Sequence, residues 1–298
     1  MVPTDPLNLP RYYYLHKPAG SPELEYPGVA PTGPLPASID FPLTPHEEPG
    51  RFRILAIGDP QPYSLEQVQF FLDDVVADAA QVEDVAFGMM LGDIVGDNLD
   101  FFAPLNEGVA ALGMPFFNVY GNHDMNFDAA TDELADETFE RVYGPATYAF
   151  QWGPVWFVVL DNVLYPPPAD TPAMPWGGRR SYIGGVTEAQ FTFLENLLRE
   201  IPSDALIVTA QHIPLFIEKF LGETFRLEDR RRLFALFADH PNVLSLSGHT
   251  HYFRQHHFTE ADGWPHPGGH WHYNGGTASG SWWSGPPGDD GIPETTMR

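Results

Sequence analysis

Val85-Ala-Phe-Gly-Met-Met-Leu91-Gly92-Asp93 is the stretch on which the fold turns. Seven uncharged residues in a row read as a strand buried on both faces, and the run stops at a glycine and a carboxylate. The pattern recurs on either side. Upstream, Phe52-Arg-Ile-Leu-Ala-Ile57 ends at Gly58-Asp59; downstream, Pro115-Phe-Phe-Asn-Val119 ends at Gly121-Asn122-His123-Asp124. Between the first two runs, Leu65, Val68, Phe71, Leu72, Val75, Val76 and Ala79 recur at helical spacing and predict a helix over 64–80. Further helices are expected over 98–112, 131–143, 187–200 and 226–238, and further strands over 147–151, 155–160, 205–210 and 242–247. Residues 251–258 alternate as a strand does, and the last 40 residues are rich in Gly, Pro and Trp. Strand and helix in alternation predict an α/β fold with largely parallel, doubly covered strands. The segments near 147–160 and 252–275 read as antiparallel, so a mixed sheet or two stacked sheets is expected.

Composition sets the outer limits. The 298 residues carry 15 Lys+Arg against 40 Asp+Glu, a formal charge of −25, which leaves no cationic surplus for a nucleic-acid duplex. No apolar run approaches the ~20 residues of a membrane span. Cysteine is absent, which excludes disulfides, thiolate metal sites and cysteine nucleophiles. Residues 1–50 hold 12 of the 31 prolines and read as an extended arm or linker, with Tyr12-Tyr13-Tyr14 docking on the core. The expected organisation is this arm, a catalytic unit over 51–260, and a C-terminal segment over 261–298 packed on that unit.

Polar residues recur where the apolar strands stop: Asp59 and Gln61, Asp93, Asn122 with His123 and Asp124, His212, and His249 with His251. In an open α/β sheet the carboxyl ends of strands converge on one crevice. Carboxylates, carboxamides and imidazoles together suit Mn, Fe, Zn, Co, Ni or Mg, and no thiolate is present to select a softer ion. Seven candidate ligands exceed what one closed tetrahedral zinc uses. They fit two divalent ions sharing a carboxylate, the usual device for displacement at phosphorus. Taken singly, each of these residues is also a common turn former after a strand.

Gly58-Asp59-Pro60-Gln61, Gly92-Asp93, Gly121-Asn122-His123-Asp124, His212 and Gly248-His249-Thr250-His251 together resemble the calcineurin-like metallophosphoesterase family over roughly residues 51–260. The resemblance implies a central mixed β-sandwich flanked by helices. It implies one ion held by Asp59, Gln61, Asp93 and His251, and a second held by Asp93, Asn122, His212 and His249. It implies attack by a metal-bridging hydroxide, with His123 protonating the leaving oxygen or holding the phosphoryl group, and Asn122 beside it at the substrate. Two departures matter. Gln61 stands where the family often has His, a weaker neutral ligand. The acid that orients the catalytic His in relatives has no counterpart at Gly96, which leaves Asp97, Asp124 or neither.

The substrate expected is a small phosphorylated molecule, with a monoester slightly favoured over a diester. A non-catalytic scaffold on this fold and a nucleotide or pyrophosphate hydrolase are the alternatives. Arg179-Arg180, in the Pro-rich loop 165–186, are candidates for clamping phosphate, although a solvated pair is the plainer reading. Asp161-Asn162 reads as a turn. His256-His257 and His266, His270 and His272 read as surface or aromatic packing, and the Trp264, Trp271, Trp282 and Trp283 set as packing of the tail on the core. The arm and tail resemble those of bacterial multidomain relatives, which implies accessory β-rich domains outside this chain. That likeness and the missing cysteine suggest the periplasm or exterior; no signal peptide is legible.

Overall fold

The computed structural model describes residues 4–43, 45, 49–165, 181–216 and 224–294. In chain order the main elements are β1 (Arg53–Ile57), α1 (Leu65–Phe71), α2 (Ala77–Ala79), β2 (Val85–Met90), α3 (Phe102–Val109), β3 (Phe116–Asn118), α4 (Glu137–Tyr143), β4 (Tyr148–Trp152), β5 (Val155–Val159), β6 (Val163–Leu164), β7 (Ile183–Gly184), α5 (Glu188–Leu198), β8 (Leu206–Ala210), α6 (Leu227–Leu236), β9 (Val243–Ser247), β10 (Arg254–Phe258) and β11 (His270–Asn274). The helix expected over 64–80 starts at an N-cap, Ser64, whose hydroxyl accepts from Gln67 N. It passes through a π-helical turn at Leu72–Val76 before α2.

Two sheets form. One is parallel, in the order β1-β2-β3; the other has six strands, in the order β10-β11-β9-β8-β5-β4. In the second, β5, β8, β9 and β11 run parallel, while β4 and β10 are antiparallel edges. This is the α/β class expected from the strand and helix pattern, and of its two alternatives the stacked sheets are found, as the family resemblance implied. Phe87, Met89, Leu91, Phe117 and Val119 from one sheet interdigitate with Phe150, Trp152, Phe157, Val159, Val208 and Ala210 from the other. Helices α1, α3, α5 and α6 add Phe71, Leu105, Leu194 and Phe234 to the second, larger core outside the sandwich.

Phe87 is the hub of the inner layer. It is fully buried, and the rings of Phe117, Trp152 and Phe157 stand 5.1 Å from it. Truncating such a side chain removes its transfer energy and leaves a cavity between two rigid sheets. Phe87→Ala is therefore expected to cost about 3–5 kcal/mol. A urea titration checks this as a lowered midpoint at unchanged slope.

The arm lies on this body as extended chain. Tyr12 meets Tyr148 edge-on at 6.4 Å, and Asn8 donates its amide to Ala110 O. At the other end, β11 belongs to the segment 261–298 yet sits inside the six-stranded sheet, between β10 and β9. The boundary expected at 260 therefore cuts through a sheet, because the tail supplies an inner strand rather than only a cover. Among the described residues no helix is long and apolar enough to cross a membrane.

Candidate metal centre

The first sheet is in register at the end that matters: Ile57 lies beside Met90, and Met90 beside Asn118. The ladder continues past the strands, with Leu91 N bonding Ile57 O and Val119 N bonding Met90 O. Three loops therefore leave the sheet side by side, carrying Asp59 and Gln61, Asp93, and Asn122. In the second sheet, Ala210 pairs with Leu246, so His212 and His249 leave β8 and β9 as neighbours. Gly248 N bonds His212 O across that pair. Small residues let these loops close up. A Cβ on Gly121 would stand 2.1 Å from Asp93 N, and one on Gly248 would stand 2.5 Å from Asp59 Oδ2.

Two side-chain clusters result. Asp93, His212 and His249 offer ligand atoms within 4.8 Å of one another, and so do Asp59, Asp93 and His251; Asp93 belongs to both. In the first cluster, His212 Nε2 is 3.2 Å from Asp93 Oδ2, 3.1 Å from Asn122 Oδ1 and 3.2 Å from His249 Nδ1. Its other nitrogen, Nδ1, donates to Leu91 O at 2.8 Å, which holds the ring in one orientation and aims Nε2 into the cluster. In the second, His251 Nε2 is 3.6 Å from Asp59 Oδ1. Gln61 is buried, and its Oε1 has no hydrogen-bond partner. A buried carbonyl oxygen left in this way costs about 1–3 kcal/mol, and a cation would satisfy it.

The backbone is strained at the same residues. Non-glycine positive φ angles occur at Asp59, Gln61, Asp93, Asp97, His249 and His251, and at Trp282 and Trp283 beside them; among the described residues only Asn8 and Asp84 share the feature elsewhere. Each such residue costs on the order of 1–3 kcal/mol, and such strain collects at functional sites. The loops are braced against it. Asp59 accepts His249 N at 2.9 Å, and Asp93 Oδ1 accepts His123 N at 2.8 Å.

The buried charges set one another's protonation. Burial raises Asp59 to about 8. Burial acts on Asp93 in the same sense, but the imidazoles of His212 and His123 outweigh it and hold Asp93 well below the usual carboxylate range. For His212, burial opposes charge, yet Asp93 and Asp59 raise it to about 9. Burial first, and repulsion from His212 after it, lowers His249 to about 3 and His251 to about 4. Both shifts favour the neutral imidazole, the form that binds metal, whereas His212 is drawn toward its charged form by Asp93 and would give up a proton to an ion. Buried acceptors crowded around one shared carboxylate form a pocket that calls for positive charge, and the donor set of carboxylate, carboxamide and imidazole suits divalent ions.

His123 sits at the rim, half-buried, with Nδ1 2.6 Å from Asp97 Oδ1. Burial works to lower its pKa, and Asp93 with Asp97 outweighs burial and raises it. Of the two acids considered for orienting this ring, Asp97 is the one whose carboxylate meets it. Asp124, the other acid, is fully buried, and its carboxylate accepts the N–H groups of Ile94, Val95 and Gly121. Arg179 and Arg180 lie outside the described residues.

Asn162 proves more than a turn former. Its amide brackets Ile213, bonding both that residue's O at 2.6 Å and its N at 3.0 Å, and so fixes the chain just after His212. Asp161 accepts Val163 N, as in an Asx turn. His270 and His272 pack inside the sheet layer and bond Ser245 and Ser247, while His257 stacks on Trp271.

The tail holds residues that sequence reasoning missed. Asn274 donates to Thr250 Oγ1 and Tyr252 O and accepts from Ser247, which pins the loop carrying His249 and His251. Thr277 Oγ1 and Ser279 N both bond Asp59 O, and Trp283 Nε1 donates to Pro60 O. The one available signal was the string Asn274-Gly-Gly-Thr277, two small residues between two side chains that bond backbone.

Comparison with known proteins agrees with this geometry. The profile of the calcineurin-like phosphoesterases matches residues 52–253. Among solved structures, a dimetal phosphatase from Danio rerio superposes with a TM-score of 0.53 at 15% identity, over 76% of this chain and 88% of the other. PhoD superposes with a TM-score of 0.57 at 12% identity, over 77% of this chain and 58% of its own. No curated protein matches by sequence. At these identities the structural likeness speaks to fold alone.

Proposed function

This chain belongs to the calcineurin-like phosphoesterase family, and from that premise we propose that it hydrolyses small phosphate esters with two divalent ions held around Asp93. The observation that carries the reading is the pair of overlapping ligand clusters sharing that one carboxylate. Asp59, Gln61, Asp93 and His251 would hold one ion, and Asp93, Asn122, His212 and His249 the other. The first set has three oxygen donors and one nitrogen, which favours a hard ion such as Mn or Mg; the second has two of each and also suits Zn or Fe. When bound, two such ions would neutralise the phosphoryl oxygens and lower the pKa of an attacking water.

The remaining work falls to the chain's own side chains. Asp97 holds Nδ1 of His123 and favours its charged form, which leaves Nε2 to deliver a proton to the departing alkoxide. Asn122 at the same rim can hold a phosphoryl oxygen with its amide N–H while its Oδ1 faces His212. Backbone bonds from His249 to Asp59 and from His123 to Asp93 keep the two carboxylates from turning away from the site.

The test is direct. Protein stripped with a chelator and reloaded with Mn²⁺, Mg²⁺ or Zn²⁺ is expected to bind close to two ions per chain. It is then expected to hydrolyse p-nitrophenyl phosphate faster than bis-p-nitrophenyl phosphate. Loss of both rates on chelation and their return on reloading support the reading. Two bound ions with no rate on either ester would overturn the catalytic part, and no bound ion would overturn the whole.

A further inference from the structure

We propose that the esters taken by this site carry a flat aromatic group, and that Trp282 is the platform on which that group lies. The proposal deepens the phosphoesterase reading and rests on it.

Two adjacent tryptophans adopt left-handed backbone, Trp282 at φ 53° and Trp283 at φ 52°. For bulky residues this conformation is costly. The two rings do different things. Trp283 is the anchor: it is 3% exposed, its Nε1 donates to Pro60 O at 2.8 Å, and its ring lies against Phe70 and Phe71. With that ring fixed under the Asp59–Gln61 loop, the neighbouring side chain is thrown to the opposite side. Trp282 is 49% exposed, and its ring centre is 4.8 Å from that of His251, a candidate ligand. Strain is thus spent on presenting a large, half-exposed apolar face beside the metal cluster.

Other rings edge the same site. Tyr63, 43% exposed, stands edge-on to His123 at 6.1 Å, and Tyr182 stands edge-on to His249 at 5.9 Å. Each of these imidazoles therefore has an aromatic neighbour. Several of the described cations are engaged elsewhere. Lys17 pairs with Glu137 and Glu140, Arg226 with Asp229, Arg232 with Glu188, and Arg254 lies over Phe216. The groups acting most strongly on Asp59 and Asp93 are imidazoles, a carboxylate and a backbone N–H. Among the described residues, then, what the site offers to the part of an ester beyond its phosphate is aromatic surface, not charge. Stacking on an exposed indole suits a flat ring, aryl or nucleobase, and is worth about tenfold in affinity.

The test uses phosphonates, which occupy the site without being cleaved. Calorimetric titration of Mn²⁺-loaded protein is expected to show phenylphosphonate binding about tenfold more tightly than methylphosphonate. Trp282→Ala is expected to bring that ratio close to one, and Trp282→Phe to retain most of it. Equal affinities in the unaltered protein overturn the proposal. So does a ratio that survives Trp282→Ala, or a loss of the same factor for both ligands, which would mean that Trp282 only supports His251. The phosphonate analogues of adenosine 5′-phosphate and ribose 5-phosphate separate the two ring sources. A preference for the adenosine compound that falls with Trp282→Ala assigns a nucleobase; a preference confined to phenylphosphonate assigns a simple aryl group. A protein that shows the phenyl preference yet cleaves neither p-nitrophenyl ester keeps the platform and loses only the catalytic reading.

Discussion

Asp93→Asn is expected to leave less than one tightly held ion per chain and to lower turnover by at least about 10³-fold, since ions of this kind supply several kcal/mol of transition-state stabilisation. The size of the effect follows from what one residue is doing in three places. Its Oδ2 faces Nε2 of His212, its Oδ1 receives the N–H of His123, and it is the member common to both ligand clusters. An amide of the same shape keeps one carbonyl oxygen and replaces the other with N–H donors, so it can serve one ion but not bridge two. The negative charge is lost as well, and with it the main attraction that raises His212 to about 9. The metal-free protein should lose some stability as well, because the fold favours the charged form of Asp93 through His212 and His123, and its removal leaves His212 buried without its main partner. Metal content by elemental analysis, with melting temperature in chelator alongside, separates a lost bridge from a damaged fold. Two retained ions with a rate within tenfold of the unaltered protein would mean that Asp93 is not the shared ligand.

How much of this was legible beforehand depended on whether the chemistry and the hydrophobic pattern agreed. They agree along β1, β2 and β8, where apolar residues fill the strand and a polar residue marks its end. Those strand ends gave Asp59, Asp93 and His212 directly. They disagree along β11. There His270, His272 and Asn274 face inward while Trp271 and Tyr273 face out, 44% and 36% exposed. The alternation is inverted with respect to polarity, and serines on β9 bond Nε2 of each inward histidine. Hydropathy places an antiparallel segment near 252–275 but not an inner strand with its polar side chains turned inward, and the residues that brace the Asp59 and His249 loops were missed. The choice between Asp97 and Asp124 was illegible for another reason. Both lie next to the motifs, and only the folded chain shows the carboxylate of Asp97 against the imidazole and that of Asp124 on backbone N–H groups. The π-helical turn at Leu72–Val76 leaves no mark in a pattern that tolerates one extra residue per turn.

His123→Ala is expected to have the complementary outcome: metal content close to that of the unaltered protein and turnover lower by about 10²–10⁴-fold, the range supplied by a positioned general acid. Neither ligand cluster includes this side chain. It is half-buried at the rim, and its contacts within the site run through its backbone N–H to Asp93, which alanine keeps, and through Nδ1 to Asp97, which alanine loses. The ions should therefore stay while the proton donor goes. The dependence on leaving group gives the sharper reading. A p-nitrophenolate leaves readily without a proton, whereas an alkoxide does not, so the loss should be small on p-nitrophenyl phosphate and approach the full range on an alkyl phosphate. Asp97→Asn should follow the same order with a smaller loss, since it weakens the orientation and charge of the imidazole but leaves the ring in place. An equal loss on aryl and alkyl esters would assign His123 to holding the phosphoryl group rather than to proton transfer. A loss of bound metal in His123→Ala would return the residue to the ligand set and remove the acid from the mechanism.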